Sequence, residues 1–219
     1  MFRTITRNIG WIMLALVILY GSWLMLRLTI PYAAFERYTD FLRTKQRVYH
    51  LVHWRASFYV HVFVSTVVLV AGLFQFSKWL MLNRPAIHRT LGKIYILVIL
   101  FFSAPAGLIM GFYANGGIVG RISFVLLSVL WFAFTLLGWI YAKKRRWDLH
   151  LTWMMRSYAL TLSALTLRFF TLIIGVMHFN ITPFKAYVIV AWTSWTINLL
   201  LAELFFKKIL IKRMLGPTG

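Results

Sequence analysis

Two histidines, His88 and His150, stand at the same end of two long apolar segments. Neutral imidazole ligates iron, copper or zinc, and it exchanges protons near neutral pH. A bis-histidine haem needs two such rings from different helices, one on each face of the macrocycle. His88 and His150 fit that role as a metal-ligating pair, with Arg89, Arg156 or Lys93 in sequence range of haem propionates. The same residues suit a quinone head. That ligand needs hydrogen-bond donors to its carbonyl oxygens, a proton carrier and apolar or aromatic walls, and Tyr95, Trp147 and Trp153 lie close in sequence. The expected cofactor is therefore haem b or a quinone.

Two further ionisable residues lie deep in apolar segments, His61 in the second and Arg168 in the fifth. An ionisable group at such depth is costly, and by default it marks a functional site. The two are expected at matching depth, as an outer polar site. In the fifth segment His150, Ser157, Thr161, Ala164 and Arg168 recur at offsets of 7, 4, 3 and 4, which is one helix face. His61, Ser65, Val68, Gly72 and Gln75 form a comparable row in the second, and His88, Gly92 and Tyr95 in the third. Such faces point into a bundle, because lipid cannot satisfy them. Close packing of small residues explains much of the same pattern without a ligand. The candidate binding set is His61, His88, His150, Arg89, Arg156, Arg168, Tyr95, Ser157 and Thr161. His50 and His53 at i, i+3 offer a surface chelate with no third ligand nearby.

Other chemistries are excluded. The chain has no Cys, which removes disulfides, thiolate metal sites and Cys nucleophiles. Four acids are too few for a carboxylate metal site, and no nucleophile triad, HExxH motif or phosphate loop is present.

The elements that carry these residues are membrane spans. Of 219 residues, 61% are apolar and 13% charged, and mean hydropathy is +0.78; a soluble domain carries about 25% charge. A span needs about 20 apolar residues, and six stretches qualify, roughly 9–30, 55–78, 91–112, 122–142, 151–176 and 186–206. The fold class is an all-α polytopic membrane bundle forming one domain over 1–219, with 9–30 and 186–206 as peripheral helices. The first stretch follows Arg3 and Arg7, but its apolar run is too long for a signal peptide, so it is expected to be a retained helix. Lys78, Arg84, Arg89 and Lys93 flank the connection between the second and third spans, Lys143, Lys144, Arg145 and Arg146 fill that between the fourth and fifth, and Lys207, Lys208, Lys212 and Arg213 follow the last, so both termini are expected in the cytoplasm. The 31–54 connection is the exception. Phe35, Tyr38, Leu42, Tyr49 and Val52 recur there at helical spacing, predicting an amphipathic helix on the outer surface. The net charge of +20 fits anionic membrane lipids as partners. It does not fit nucleic acid, because the basic residues are scattered over both faces.

The segments His88–Tyr95 (HRTLGKIY), Tyr113–Gly117 (YANGG) and His150–Thr161 (HLTWMMRSYALT) resemble a family of predicted bacterial membrane proteins catalogued as a domain of unknown function (2306 type). The resemblance covers about residues 55–172, with HRxLGxxY and HxxWMxRSxALT as its most specific elements. It implies selected positions at His61, His88, His150 and Arg168, and a place in the bacterial inner membrane, but no reaction. A looser similarity is to two-haem bundles of the cytochrome b561 type. Residues 122–142 contain no histidine, which departs from that pattern for a second haem.

Three functions compete on the sequence. The first is a redox protein built on His88 and His150. The second is a non-catalytic accessory subunit of a larger membrane complex, with Trp192, Trp195 and Asn198 facing other subunits. The third is a small transporter or proton conduit using His61, Arg168 and Glu203.

Overall fold

The computed structural model describes residues 2–216, with side chains from Ile9 onward. The side chains of Arg3 and Arg7 lie outside the described residues. Helix α1 (Phe2–Thr29) ends in a 3-10 turn at Ile30–Ala34, where Pro31 has no N–H to continue the helix. Helix α2 (Val52–Gln75) leads to the short α3 (Lys78–Asn83), whose first turn is capped by the Ser77 hydroxyl accepting from Leu80 N–H at 3.2 Å. Helix α4 (Pro85–Val98) and helix α5 (Ala104–Phe112) form one span through a π turn at Ile99–Ser103. Pro105 sits just past that turn and withholds one backbone donor, so the wider turn falls where the regular ladder is interrupted.

Helix α6 (Gly117–Lys143) follows a turn in which Gly116 and Gly117 both have positive φ. A Cβ on Gly116 would also meet the Tyr187 ring at 2.8 Å, so conformation and space both require glycine there. Helices α7 (Trp147–Thr161) and α8 (Ser163–Val176) make one span, broken at Leu162. Helix α9 (Pro183–Leu201), a π turn at Ala202–Phe206 and α10 (Lys207–Leu215) make the last. Thr182 caps α9 and Pro183 opens it.

Among the described residues there is no strand, and six helical segments are long and apolar enough to cross a membrane: Ile9–Ala34, Val52–Gln75, Pro85–Phe112, Gly117–Lys143, Trp147–Val176 and Pro183–Leu215. Below, the inner face denotes the side of the 76–84 and 144–146 connections, the side expected from the Lys and Arg distribution to be cytoplasmic. The other side is the outer face.

Helices α2, α4–α5, α6 and α7 form the central bundle, with α9 packed on α6, α7 and α8. Helix α1 rests on α2 and, more thinly, on α8, and most of its large apolar side chains are exposed. In a membrane that exposure faces lipid. The core is filled by Val68, Tyr95, Ile99, Trp131, Met154 and Tyr158 with their neighbours.

The outer connection differs from expectation. It is not one amphipathic α-helix but two 3-10 turns, at Ile30–Ala34 and Asp40–Lys45, with positive φ at Phe35 after the first and at Asp40 opening the second. Its apolar residues turn inward as a small core of Tyr32, Leu42, Tyr49, Trp54 and Phe58. Lys45 locks this knot to the bundle. Its ammonium is buried and donates to Tyr113 O and to Asn115 Oδ1, both at 2.7 Å.

Burial, with Arg121 nearby, pulls the Lys45 ammonium from its ordinary 10.5 down to about 8. The unfolded chain keeps the ordinary value. Between about pH 8 and 10.5 the unfolded state therefore holds more protons than the folded one, and this group makes stability rise with pH. Lys45→Met leaves two buried acceptors unpaired, at a cost of about 1–3 kcal/mol. In thermal unfolding of the detergent-solubilised protein the variant melts lower at pH 7.5, and its deficit against wild type widens towards pH 10. A deficit constant with pH excludes titration of Lys45 in the folded state.

Candidate functional site

The middle of the bundle holds a closed polar network. Tyr95 Oη of α4 shares hydrogen bonds with Ser157 Oγ at 2.9 Å and Thr161 Oγ1 at 2.8 Å, both on α7. Trp131 Nε1–H of α6 donates to Thr161 Oγ1 at 3.0 Å, and Thr135, also on α6, meets Ser157 Oγ at 2.7 Å. All five side chains are buried, and each has a partner. Tyr95 and Tyr158 can cross the bundle because Gly72 of α2 leaves room. A Cβ there would lie 2.5 Å from the Tyr158 ring and 2.7 Å from the Tyr95 ring. Tyr158 O–H donates to Leu69 O at 2.9 Å.

The stripe read from the sequence thus gathers Tyr95, Ser157 and Thr161. Trp131 and Thr135 were not singled out. Their signal was present as Ser128, Trp131, Thr135 and Gly138, at offsets of 3, 4 and 3 along α6.

Two turns from this network, towards the inner face, lie His88 on α4 and His150 on α7. Each is seven residues from its network partner, Tyr95 and Ser157 respectively. Both rings are half-buried, and the two residues are electrostatic neighbours. His150 Nδ1 is 2.8 Å from Gly138 O. A carbonyl only accepts, so Nδ1 carries the proton and a neutral ring presents its lone pair at Nε2. His88 Nδ1 is buried with no hydrogen-bond partner. So is Nε2 of Gln75, whose amide oxygen lies 3.0 Å from where a Cβ of Gly92 would stand. Gly92 is one turn from His88 on the same face of α4. The inner end of the bundle therefore presents a donor-capable amide, an unpartnered imidazole nitrogen and an imidazole lone pair, from three helices.

His61 is placed differently. Its Nδ1 is 2.8 Å from Ser103 O at the π turn, and its ring packs on Gly107, Ser128 and the edge of Trp131. Ser65 Oγ and Ser103 Oγ nearby are buried without partners. Arg168 is exposed, with Tyr32 and Tyr187 as its ionisable neighbours. The two residues expected to share an outer site thus have separate neighbours. The break at Leu162 is the physical reason: it lies between Thr161 and Arg168 and ends the regular stripe.

Arg156 pairs with Glu203 and stacks on Trp153 at 4.4 Å, while Glu203 also takes Lys207 at 3.2 Å. It ties α7 to the last span instead of standing open to a cofactor acid. Arg89 and Lys93 are exposed. His53 Nε2 bonds Tyr113 Oη at 2.8 Å, away from any chelate with His50. Trp195 and Asn198 face inward as well, Trp195 donating to Ser123 Oγ and Asn198 to Ala159 O. No cluster of three or more His, Asp or Glu suited to a metal occurs among the described residues.

Residues 58–206 match the profile of a family described as a predicted membrane protein, DUF2306. The chain belongs to that family. The matched region contains His61, His88, His150 and Arg168, together with the whole central network. No curated protein and no solved structure matches the chain.

The network sets a clear order of sensitivity. Hydrogen bonds between membrane helices average about 0.6 kcal/mol and reach about 1.7, so Tyr95→Phe, which loses two, costs about 1–2 kcal/mol. Gly72→Ala must displace two aromatic rings and costs about 1–3 kcal/mol. Both variants lower the melting temperature in detergent, whereas Thr171→Ala on exposed α8 leaves it unchanged. Equal stability of all three would show that the network does not hold the bundle.

Proposed function

We propose that this integral membrane protein serves electron transfer by binding the head of a membrane quinone at the inner end of the bundle, between Gln75, His88 and His150. The observation that carries this reading is the pair of buried unpartnered atoms, His88 Nδ1 and Gln75 Nε2, beside an imidazole whose Nε2 lone pair is available. Buried polar groups are nearly always hydrogen-bonded, so two unpaired ones at the same end of the bundle support a ligand there. A quinone carbonyl accepts from His88 Nδ1–H and from the Gln75 amide, and a quinol hydroxyl donates to His150 Nε2. The bound quinone would supply two-electron, two-proton chemistry. The histidines sit within reach of the inner surface to hand protons across, with a redox-active partner subunit as the source or sink of electrons.

A second reading has its own observation. The His150 Nδ1–H bond to Gly138 O fixes the tautomer that metal-bound histidines adopt. With His88 it offers two imidazoles on different helices for a haem b iron.

Protein purified in mild detergent separates the two. The quinone reading expects near-stoichiometric quinone in an organic extract and no Soret band. Gln75→Leu then retains about fivefold less quinone, the loss of one hydrogen bond. A Soret band abolished by His150→Ala establishes haem in its place. Absence of both quinone and haem overturns the redox assignment.

A further inference from the structure

A slot of about 780 Å³ opens between α1, the end of α2, α7 and the α9–α10 span. Its size falls within the roughly 300–1,000 Å³ of small-molecule sites. Trp11, Ala15 and Leu19 of α1 form one wall, and Phe76 and Ala202 stand among the others. From Trp11 to Leu19 the slot runs about 12 Å along the helix, close to the ~15 Å half-thickness of a bilayer's hydrocarbon. It therefore reaches from the inner surface towards the middle of the membrane.

Its polar lining groups are already engaged. Tyr158 donates to Leu69 O, Asn198 to Ala159 O, and Arg213 stacks on Trp11 at 4.5 Å, marking the inner mouth. Among the described residues the charge near this mouth is mainly basic. Lys208 and Lys212 flank Arg213 in sequence, Lys78 reaches Gly216 O at 3.1 Å, and the nearby acid Glu203 is paired with Arg156 and Lys207.

We propose that this slot is a specific site for one acyl chain of an anionic phospholipid of the inner leaflet, with its phosphate at Arg213. The length fits a chain confined to one leaflet, the apolar walls fit hydrocarbon, and the basic mouth selects an anionic head. The slot shares no lining residue with the His88, Gln75 and His150 set, so its failure leaves the quinone reading untouched.

The test titrates delipidated full-length protein in detergent with phosphatidylglycerol or phosphatidylcholine, counting bound lipids by native mass spectrometry. Wild type is expected to bind one phosphatidylglycerol about fivefold more tightly than phosphatidylcholine, the contribution of one basic residue near a surface. Arg213→Gln removes that preference. Ala15→Phe, which fills the slot, removes the tight site for both lipids. A lipid-free melting temperature equal to wild type certifies the fold of Ala15→Phe, and Leu19→Trp replaces it if that control fails. Equal affinity for the two lipids in wild type, or tight binding that survives both slot-filling variants, overturns the proposal.

Discussion

A polar side chain in a bilayer has to find its partner inside its own bundle, and Tyr95 finds two. Its hydroxyl reaches Ser157 and Thr161, while Trp131 and Thr135 bind the same two residues from α6. Three helices are thereby fixed in rotation as well as in distance, because a turn of any one carries its hydroxyl into lipid or apolar packing. The apolar contacts around it lack that directionality, since lipid tails compete with them on nearly equal footing. Once α4 and α7 are fixed at Tyr95 and Ser157, the residues seven positions earlier must face the same interior. Those residues are His88 and His150.

The same constraint explains what the neighbouring elements carry. Gly72 lacks a side chain because the Tyr95 and Tyr158 rings occupy its space. Gly138 lies against Met154, whose Sδ would stand 2.5 Å from a Cβ there, and its carbonyl takes the proton of His150 Nδ1. One small residue on α6 thus brings α7 close enough for both contacts. On the outer side the π turn at Ile99–Ser103 places Ser103 O within reach of His61.

Much of this was legible in the sequence. The six spans follow from apolar run length. The rows His88–Gly92–Tyr95 and His150–Ser157–Thr161 follow from helical spacing, because undistorted helix keeps that spacing in three dimensions. What escaped depended on departures from regular helix or on partners far along the chain. Arg168 left its stripe because α7 ends at Thr161. The outer connection has helical periodicity in its letters, yet Phe35 and Asp40 take left-handed backbone and Lys45 is drawn down to Asn115, seventy positions away. Trp195 and Asn198 read as an outward face only while α6 and α7 are left out. Trp131 and Thr135 were passed over because their span has no histidine, although an indole N–H and a hydroxyl one turn apart bind a neighbouring helix as well.

The contrast between the middle of the bundle and its two ends bears on where function resides. The central hydroxyls are saturated by one another, so they need no ligand and serve as a fastening. Unpaired atoms occur on both sides of it, Trp54 Nε1, Ser65 Oγ and Ser103 Oγ towards the outer face, and His88 Nδ1 and Gln75 Nε2 towards the inner face. These sets are not equivalent. A serine hydroxyl in a helix can rotate onto the carbonyl four residues back at little cost, as Ser22 and Ser128 do here. An imidazole nitrogen has no such local carbonyl, and the Gln75 amide leaves its own unused, although Gln46 and Asn83 bond the carbonyl four residues back. The two serines close their deficit by a bond rotation while the His88 nitrogen does not, and this supports the proposed ligand at the inner end.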